Sequence, residues 1–496
     1  MKLDAWERAR LPLLVFVVLV LMIAACDNEE GEDTSTVVAG ADTTTTAAVE
    51  TTIAAADNTT TTAAPESDRI SFWSAETQPE RLKATQAIID AFTEETGIAV
   101  QLVPVDENAL SQVMPANADA GTLPDVIFHP LDFTVGWANA GFLDIAAAGE
   151  VIDNLGADTF SQAALALGSV DGVPAAVPSD GWGQLLIYRR DLFDEAELGK
   201  PETFDKVLAA AEELNAPGSG FFGITASNDP TVVFTQQTWE HFALANGCNL
   251  VDASGRVTLD TPNCVEAINF YTNLLNYSPP GMQNAVSTRA TYFAGQAAMI
   301  VWPSFIMDEM AGLRYAALPT CARCVDNIAF LAENSDVVTA LSGPSGAPTQ
   351  YGQVSYLGIG VTDRTEASKQ FVEYWLSEGY LGWLSTSPEG RFPMRRGTQE
   401  DPTAFVESWW ALTTGVDEQA PLSDFYAEEV MNELIEGSNN FARWGFTEGQ
   451  GELVSAVYAT LIVPRTLDQV LAGSLSAEEG AQQMQELAEN EQALLE

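Results

Sequence analysis

Positive charge is what this chain has least of. Twenty-one lysines and arginines stand against 70 aspartates and glutamates, a formal net charge of −49. A surface of that sign repels phosphate backbones and anionic headgroups, which argues against nucleic acid and acidic lipid as partners. Histidine is nearly missing too: only His129 and His241 occur, far apart, which argues against a catalytic triad or a zinc centre. No Gly-x-Ser-x-Gly elbow, His-Glu-x-x-His, Walker A loop or Gly-x-Gly-x-x-Gly following a strand is present. Carboxylate pairs arise by chance among so many acids and therefore do not argue for glycoside hydrolysis.

Apolar runs are scarce apart from residues 11–25 (LPLLVFVVLVLMIAA), which follow Lys2, Arg8 and Arg10. That run has the length of a signal-peptide core and falls short of the roughly 20 residues that span a bilayer. Asp27, Glu29 and Glu30 stand where a stop-transfer flank would be basic, which weakens the alternative of an uncleaved anchor. Ile23-Ala24-Ala25-Cys26 resembles the lipobox of bacterial lipoproteins. The resemblance implies a signal peptide over residues 1–25, a lipidated Cys26, and a chain at work outside the cytoplasm, held to the outer face of the cell membrane or in the periplasm. Residues 26–67, rich in Thr, Ala, Asp and Glu, carry almost nothing large and apolar, and are expected to form a disordered tether.

With Cys26 taken by lipid, Cys248, Cys264, Cys321 and Cys324 remain, an even number in an oxidising location. Residues 248–264 read as two short segments turning at Ser254-Gly255, which favours Cys248 with Cys264; Cys321 with Cys324 would follow. A Cys-x-x-Cys can instead be a redox centre or half a zinc site, and there is no second one.

About 430 residues lie beyond the tether, more than one ordinary core holds, so two lobes are expected. Residues 69–73 (RISFW), 98–105 (IAVQLVPV) and 124–128 (PDVIF) read as strands, and residues 79–96 and 108–118 as helices between them, the first closed by Gly97. Such alternation predicts a parallel sheet with right-handed crossovers, and ligands bind beyond the carboxyl ends of its strands. Trp73 and Glu76 follow the first strand, His129 and Asp132 the third; these are the first candidates for a site.

Three later segments carry a resemblance. YRRDLFDEAELGKPETFDKVLAAAEEL, TYFAGQAAMIVWPSF and LGIGVTDRTEASKQFVEYWLS, in that order, are similar to segments of bacterial extracellular solute-binding proteins of ABC importers, the carbohydrate-type family. The resemblance covers roughly residues 68–496. It implies an α/β, two-lobed periplasmic-binding-protein-like fold of type II, each lobe a mainly parallel sheet flanked by helices, joined by a hinge of crossing strands. The lobes would be residues 68–180 plus 345–390 and residues 181–344 plus 391–496. It further implies an Phe-x-x-Gly-x-Ala-Ala-Met helix reaching Met299, with Trp302 and Phe305 just after it, and a strand then a helix in the third segment.

The same likeness implies a binder and not an enzyme: a monomer that captures a solute between its lobes and hands it to the transmembrane subunits of an importer, with no cofactor and no metal. Tryptophan suits sugars because the C–H face of a pyranose packs on an aromatic ring. In similar proteins the turn of His129 and Asp132 contacts sugar, and Trp444 falls where another cleft aromatic stands. Asp180 and Trp182 lie at the first expected crossing, Arg391 at the third, and Trp302 and Phe305 replace the family's usual Gly-x-Trp. Trp239 reads equally as core or site. A sugar is the leading ligand, and a polyamine or other small cation the second, invited by the acidic balance.

Overall fold

The computed structural model describes residues 69–495; the signal peptide, Cys26 and the tether expected above lie outside them. Strand β1 (Arg69–Ser74) alternates, burying Ile70, Phe72 and Ser74 on one face. Phe72 meets Phe371 and Trp375 edge to face, with centroids 5.1 and 5.2 Å apart. Helix α1 (Pro79–Thr96) opens with proline at its first turn and closes at Gly97, whose φ of 76° few other residues tolerate. Strand β2 (Ala99–Pro104), helix α2 (Leu110–Ala120), strand β3 (Val126–Pro130) and helix α3 (Leu131–Asn139) follow. Strands β2 and β3 flank β1 and run parallel to it.

The chain then enters its longest strand, β4 (Val177–Arg189), a near-continuous buried run that only a strand covered on both faces sustains. Helices α4 (Phe204–Glu213), α5 (Val233–Ala245) and α6 (Ala285–Phe293) lead to strands β5 (Met299–Pro303), β6 (Ser335–Val338) and β7 (Gln350–Ile359). Helix α7 (Thr365–Trp375), two-residue strands β8 (Phe392–Pro393) and β9 (Phe441–Ala442), and helices α8 (Gly451–Thr460) and α9 (Ala477–Leu495) complete the elements used below. These nine strands form one sheet of order β8-β4-β7-β3-β1-β2, with β5 and β6 on β4 and β9 on β7; two further two-stranded sheets lie outside it.

Strand β4 is the shared member. Its first half, residues 177–183, pairs with β7; its second half, residues 184–189, pairs with β5 and β6. Gly183 and Gly352 face each other in the first half beneath the Phe441 ring, and a Cβ on Gly352 would lie 2.1 Å from that ring. Helix α5 is buried on 11 of its 13 residues, so it crosses the interior and reaches several walls at once.

One expectation is corrected. Met299 lies in strand β5, not in a helix; the helix of that segment ends at Phe293. Gly295 at φ 68° turns the chain, and Met299 to Pro303 pair antiparallel with Tyr188 to Gln184. Helix propensity of Gln-Ala-Ala-Met yields there to burial beside a central strand. The disulfides are Cys248 with Cys264 and Cys321 with Cys324. No helix among the described residues is long and apolar enough to cross a membrane.

Candidate functional site

Three parallel strands end on acids. Glu76 follows β1, Glu107 follows β2, and Asp132 opens α3 directly after β3. Glu76 accepts from Arg81 at 2.7 Å and from Arg391. Burial opposes its ionisation, yet Arg391 and then Arg81 hold its pKa below the ordinary glutamate range. Glu107 has no such cation: burial, then the charges of Asp132 and Glu76, push it up to about 7. Trp73, half-buried, comes three residues before Glu76.

Arg391 ties this rim to the sheet. Its Nη1 donates to Asp180 Oδ1 at 2.8 Å, its Nε to Thr386 Oγ1 at 2.8 Å, and its guanidinium lies 3.9 Å from the centre of the Trp383 ring. Asp180 also accepts from Trp383 Nε1 at 2.7 Å and from Ser179 Oγ at 2.8 Å. With Arg391 4 % and Asp180 2 % exposed, the pair is a buried strut.

A second cluster adjoins it on β4. Trp182, half-buried, has the Phe305 ring at 5.3 Å and the Tyr351 ring at 5.9 Å. Arg443 lies over Tyr351, 4.6 Å from its centre, donates to Gln353 Oε1, and reaches Glu240 Oε1 through Nε at 3.3 Å. Gln353 Nε2 donates to Asp132 at 2.6 Å, and Arg443 is 3.9 Å from the same carboxylate. A polar chain thus runs from the end of β3 across β7 to α5. Trp302, also half-buried, stands apart from this chain: its Nε1 donates to Thr288 Oγ1 at 3.1 Å, with Phe234 5.5 Å away and Arg289 over its ring.

Of the residues expected to meet solute, Trp73, Glu76, Asp132, Trp182, Trp302 and Phe305 keep partial exposure. Asp180 and Arg391 come together with Glu76, but they saturate each other inside the fold. Three are corrected to core positions. His129, fully buried, donates Nδ1–H to the Pro130 carbonyl at 2.9 Å and packs on Trp137 and Tyr356. Trp239 and Trp444 meet edge to face at 5.3 Å, and the Trp444 indole donates to the Cys248 carbonyl at 2.8 Å. His129 lies on β3 and Trp239 on α5, both covered from two sides, while Trp444 lies in the turn after β9 with its ring against Trp239; in each place a large ring is worth more as packing. Sequence reasoning missed Glu107, Tyr351, Gln353, Glu240 and Arg443. Glu107 was within reach, because it follows the end of β2 as Glu76 follows β1; the others converge only through pairing of β7 with β3 and with β9, and through α5 packed against β7.

Burial also sets a pH response. Desolvation holds His129 down to about 4 and His241 down to about 3, so both are neutral when folded. Below the ordinary histidine value of 6.5 the unfolded chain binds protons that the folded chain refuses. Stability is therefore intact above about pH 6.5 and falls as pH drops toward 4. Urea denaturation at about pH 7.5, 6 and 5 checks this. His241→Asn, which can still accept from the Tyr351 N–H, is expected to flatten the slope; an unchanged slope would refute the assignment.

The arrangement offers stacking faces, acceptors and donors side by side, a set suited to holding a polar solute. The family model described as bacterial extracellular solute-binding protein matches residues 75–381, more than half of the chain. An Escherichia coli (strain K12) protein named as an ABC transporter periplasmic-binding protein, YcjN, is 26% identical over 420 residues, covering 82% of this chain and 90% of its own. The cyclic alpha-maltosyl-1,6-maltose binding protein of Arthrobacter globiformis shares the fold with a TM-score of 0.64 at 16% identity, over 85% of this chain and 98% of that one. Maltose-bound MalE3 of T. maritima does so with a TM-score of 0.59 at 18% identity, over 85% and 99%.

Proposed function

The chain belongs to the bacterial extracellular solute-binding protein family, and from that premise we propose that it captures a mono- or oligosaccharide between two lobes and delivers it to the permease of an ABC importer. The lobes of this reading are residues 68–180 plus 345–390 and residues 181–344 plus 391–496, with the chain crossing between them within β4 at Pro178 to Trp182, near Leu341 to Pro348, and near Arg391 to Arg396. Solute touching both lobes stabilises the closed form by its differential affinity, and no chemistry on the solute is needed. Cys26 would carry the lipid that keeps a monomer at the outer face of the membrane.

One observation carries the choice of sugar: the half-buried rings of Trp182 and Phe305 lie 5.3 Å apart, in the same cluster as the partly exposed Asp132 and Gln353. That pairs a stacking face with hydroxyl partners. The relatives named for maltose and for a cyclic maltosyl-maltose support it. A thermal-shift panel of maltose, maltotetraose, D-mannitol and spermidine tests it, because any ligand selective for the folded protein raises its melting temperature. Stabilisation by a sugar is the expected result; a shift with spermidine alone would replace the reading.

A small cation is the second reading, favoured by Glu107, whose pKa is raised to about 7 by burial and by Asp132 and Glu76 without a compensating cation. On that reading, spermidine stabilises more at about pH 8 than at about pH 6, as Glu107 ionises. Equal shifts at the two values would dismiss it.

A further inference from the structure

Two side-chain amides are buried to 0 % exposure with both oxygen and nitrogen left without a partner: Gln184 on β4 and Gln236 on α5. Burying an amide with no hydrogen bond is costly, so a fold that keeps two of them calls for an explanation.

Their position supplies it. Gln184 lies two residues beyond Trp182 on one strand, so its side chain leaves on the same face, the face of Phe305 and Tyr351. Gln236 lies one turn before Glu240 on α5 and shares its stripe. Glu240 on that stripe reaches Arg443, which covers Tyr351 and bonds Gln353. Gln184 therefore stands on the strand wall of the Trp182 cluster, and Gln236 on the helix stripe whose Glu240 reaches the same cluster through Arg443.

Resting on the sugar reading above, we infer that Gln184 and Gln236 are solute contacts and that they select an uncharged polyhydroxy solute. A primary amide presents two N–H donors and one accepting oxygen. A hydroxyl both donates and accepts, so neighbouring hydroxyls of one sugar satisfy the whole amide. An ammonium only donates and a carboxylate only accepts, and either would leave half of each amide unmet in a dry site. The amides set the charge class of the solute, while the rings supply its stacking face.

The test is Gln184→Leu and Gln236→Leu, made separately and compared with the parent protein by melting temperature and by calorimetric titration with maltose and D-mannitol. Removing an orphaned polar group leaves the sugar-free melting temperature unchanged or higher. The inference requires that each substitution nonetheless weaken sugar binding by about tenfold. Should a leucine variant fail to fold, Gln184→Asn and Gln236→Asn keep both polar atoms but withdraw them by one methylene, and the same loss is expected. Variants that bind the sugars as tightly as the parent overturn the inference and leave the sugar reading standing. A parent protein that ignores both sugars and responds to spermidine overturns that reading, and this inference with it.

Discussion

Arg391→Leu is expected to cost about 3–5 kcal/mol of folding free energy. The guanidinium stands between Glu76 and Asp180, at 5 % side-chain exposure, against 16 % and 2 % for its partners. Leucine fills much of the volume over Trp383, so lost packing is the smaller part. The larger part is the Asp180 carboxylate, left beneath the surface with hydrogen bonds from Ser179 and Trp383 but no cation. That mechanism makes a second claim. Arg391→Leu combined with Asp180→Asn removes the stranded charge, and is expected to be less destabilised than Arg391→Leu alone, because coupled neighbours do not add. Guanidinium denaturation of the parent, both single variants and the double variant closes the cycle. Additive losses would show that Arg391 acts by packing and not by pairing.

Trp182→Ala with Phe305→Ala is expected to lower sugar affinity by about 100-fold or more, while either single substitution lowers it by about tenfold. The two rings are tilted by 52° at 5.3 Å, so each holds the other in place and each offers a face. Both are half-buried, which is why the loss should fall on binding more than on folding. Trp182→Phe separates the two roles: it retains a ring and is expected to recover most of the affinity. Titration calorimetry reads the effect, with near-ultraviolet circular dichroism confirming that the core is intact. If the double variant binds sugar like the parent, the solute sits elsewhere in the molecule, and the cluster is part of the core.

Local elements were legible before any coordinates. Helix α1 occupies the residues its periodicity and its glycine stop predict, and β1, β2 and β3 lie within a residue or two of their expected places. The cysteine pairs follow from a short turn and from adjacency. What failed was the segment around Met299, whose residues favour helix in isolation but which lies against β4 in register. The site was half legible for a related reason. Glu76 and Asp132 could be placed by the rule for strand ends, which acts within one βα unit. Arg443 could not, since it reaches Asp132, Gln353 and Glu240 from positions 311, 90 and 203 residues away in the chain.

Composition and local pattern by themselves determined the sign of the surface, the order of strands and helices, and the kind of side chain that ends each parallel strand. These depend on nearest neighbours and on net charge, which a linear reading contains. Only the tertiary structure decided which tryptophans among the described residues became core, which arginine neutralises which acid, and which amides were left waiting for a partner. Those outcomes depend on how β4 pairs with β7 along one half and with β5 along the other. That pairing brings residues more than a hundred positions apart within hydrogen-bond reach.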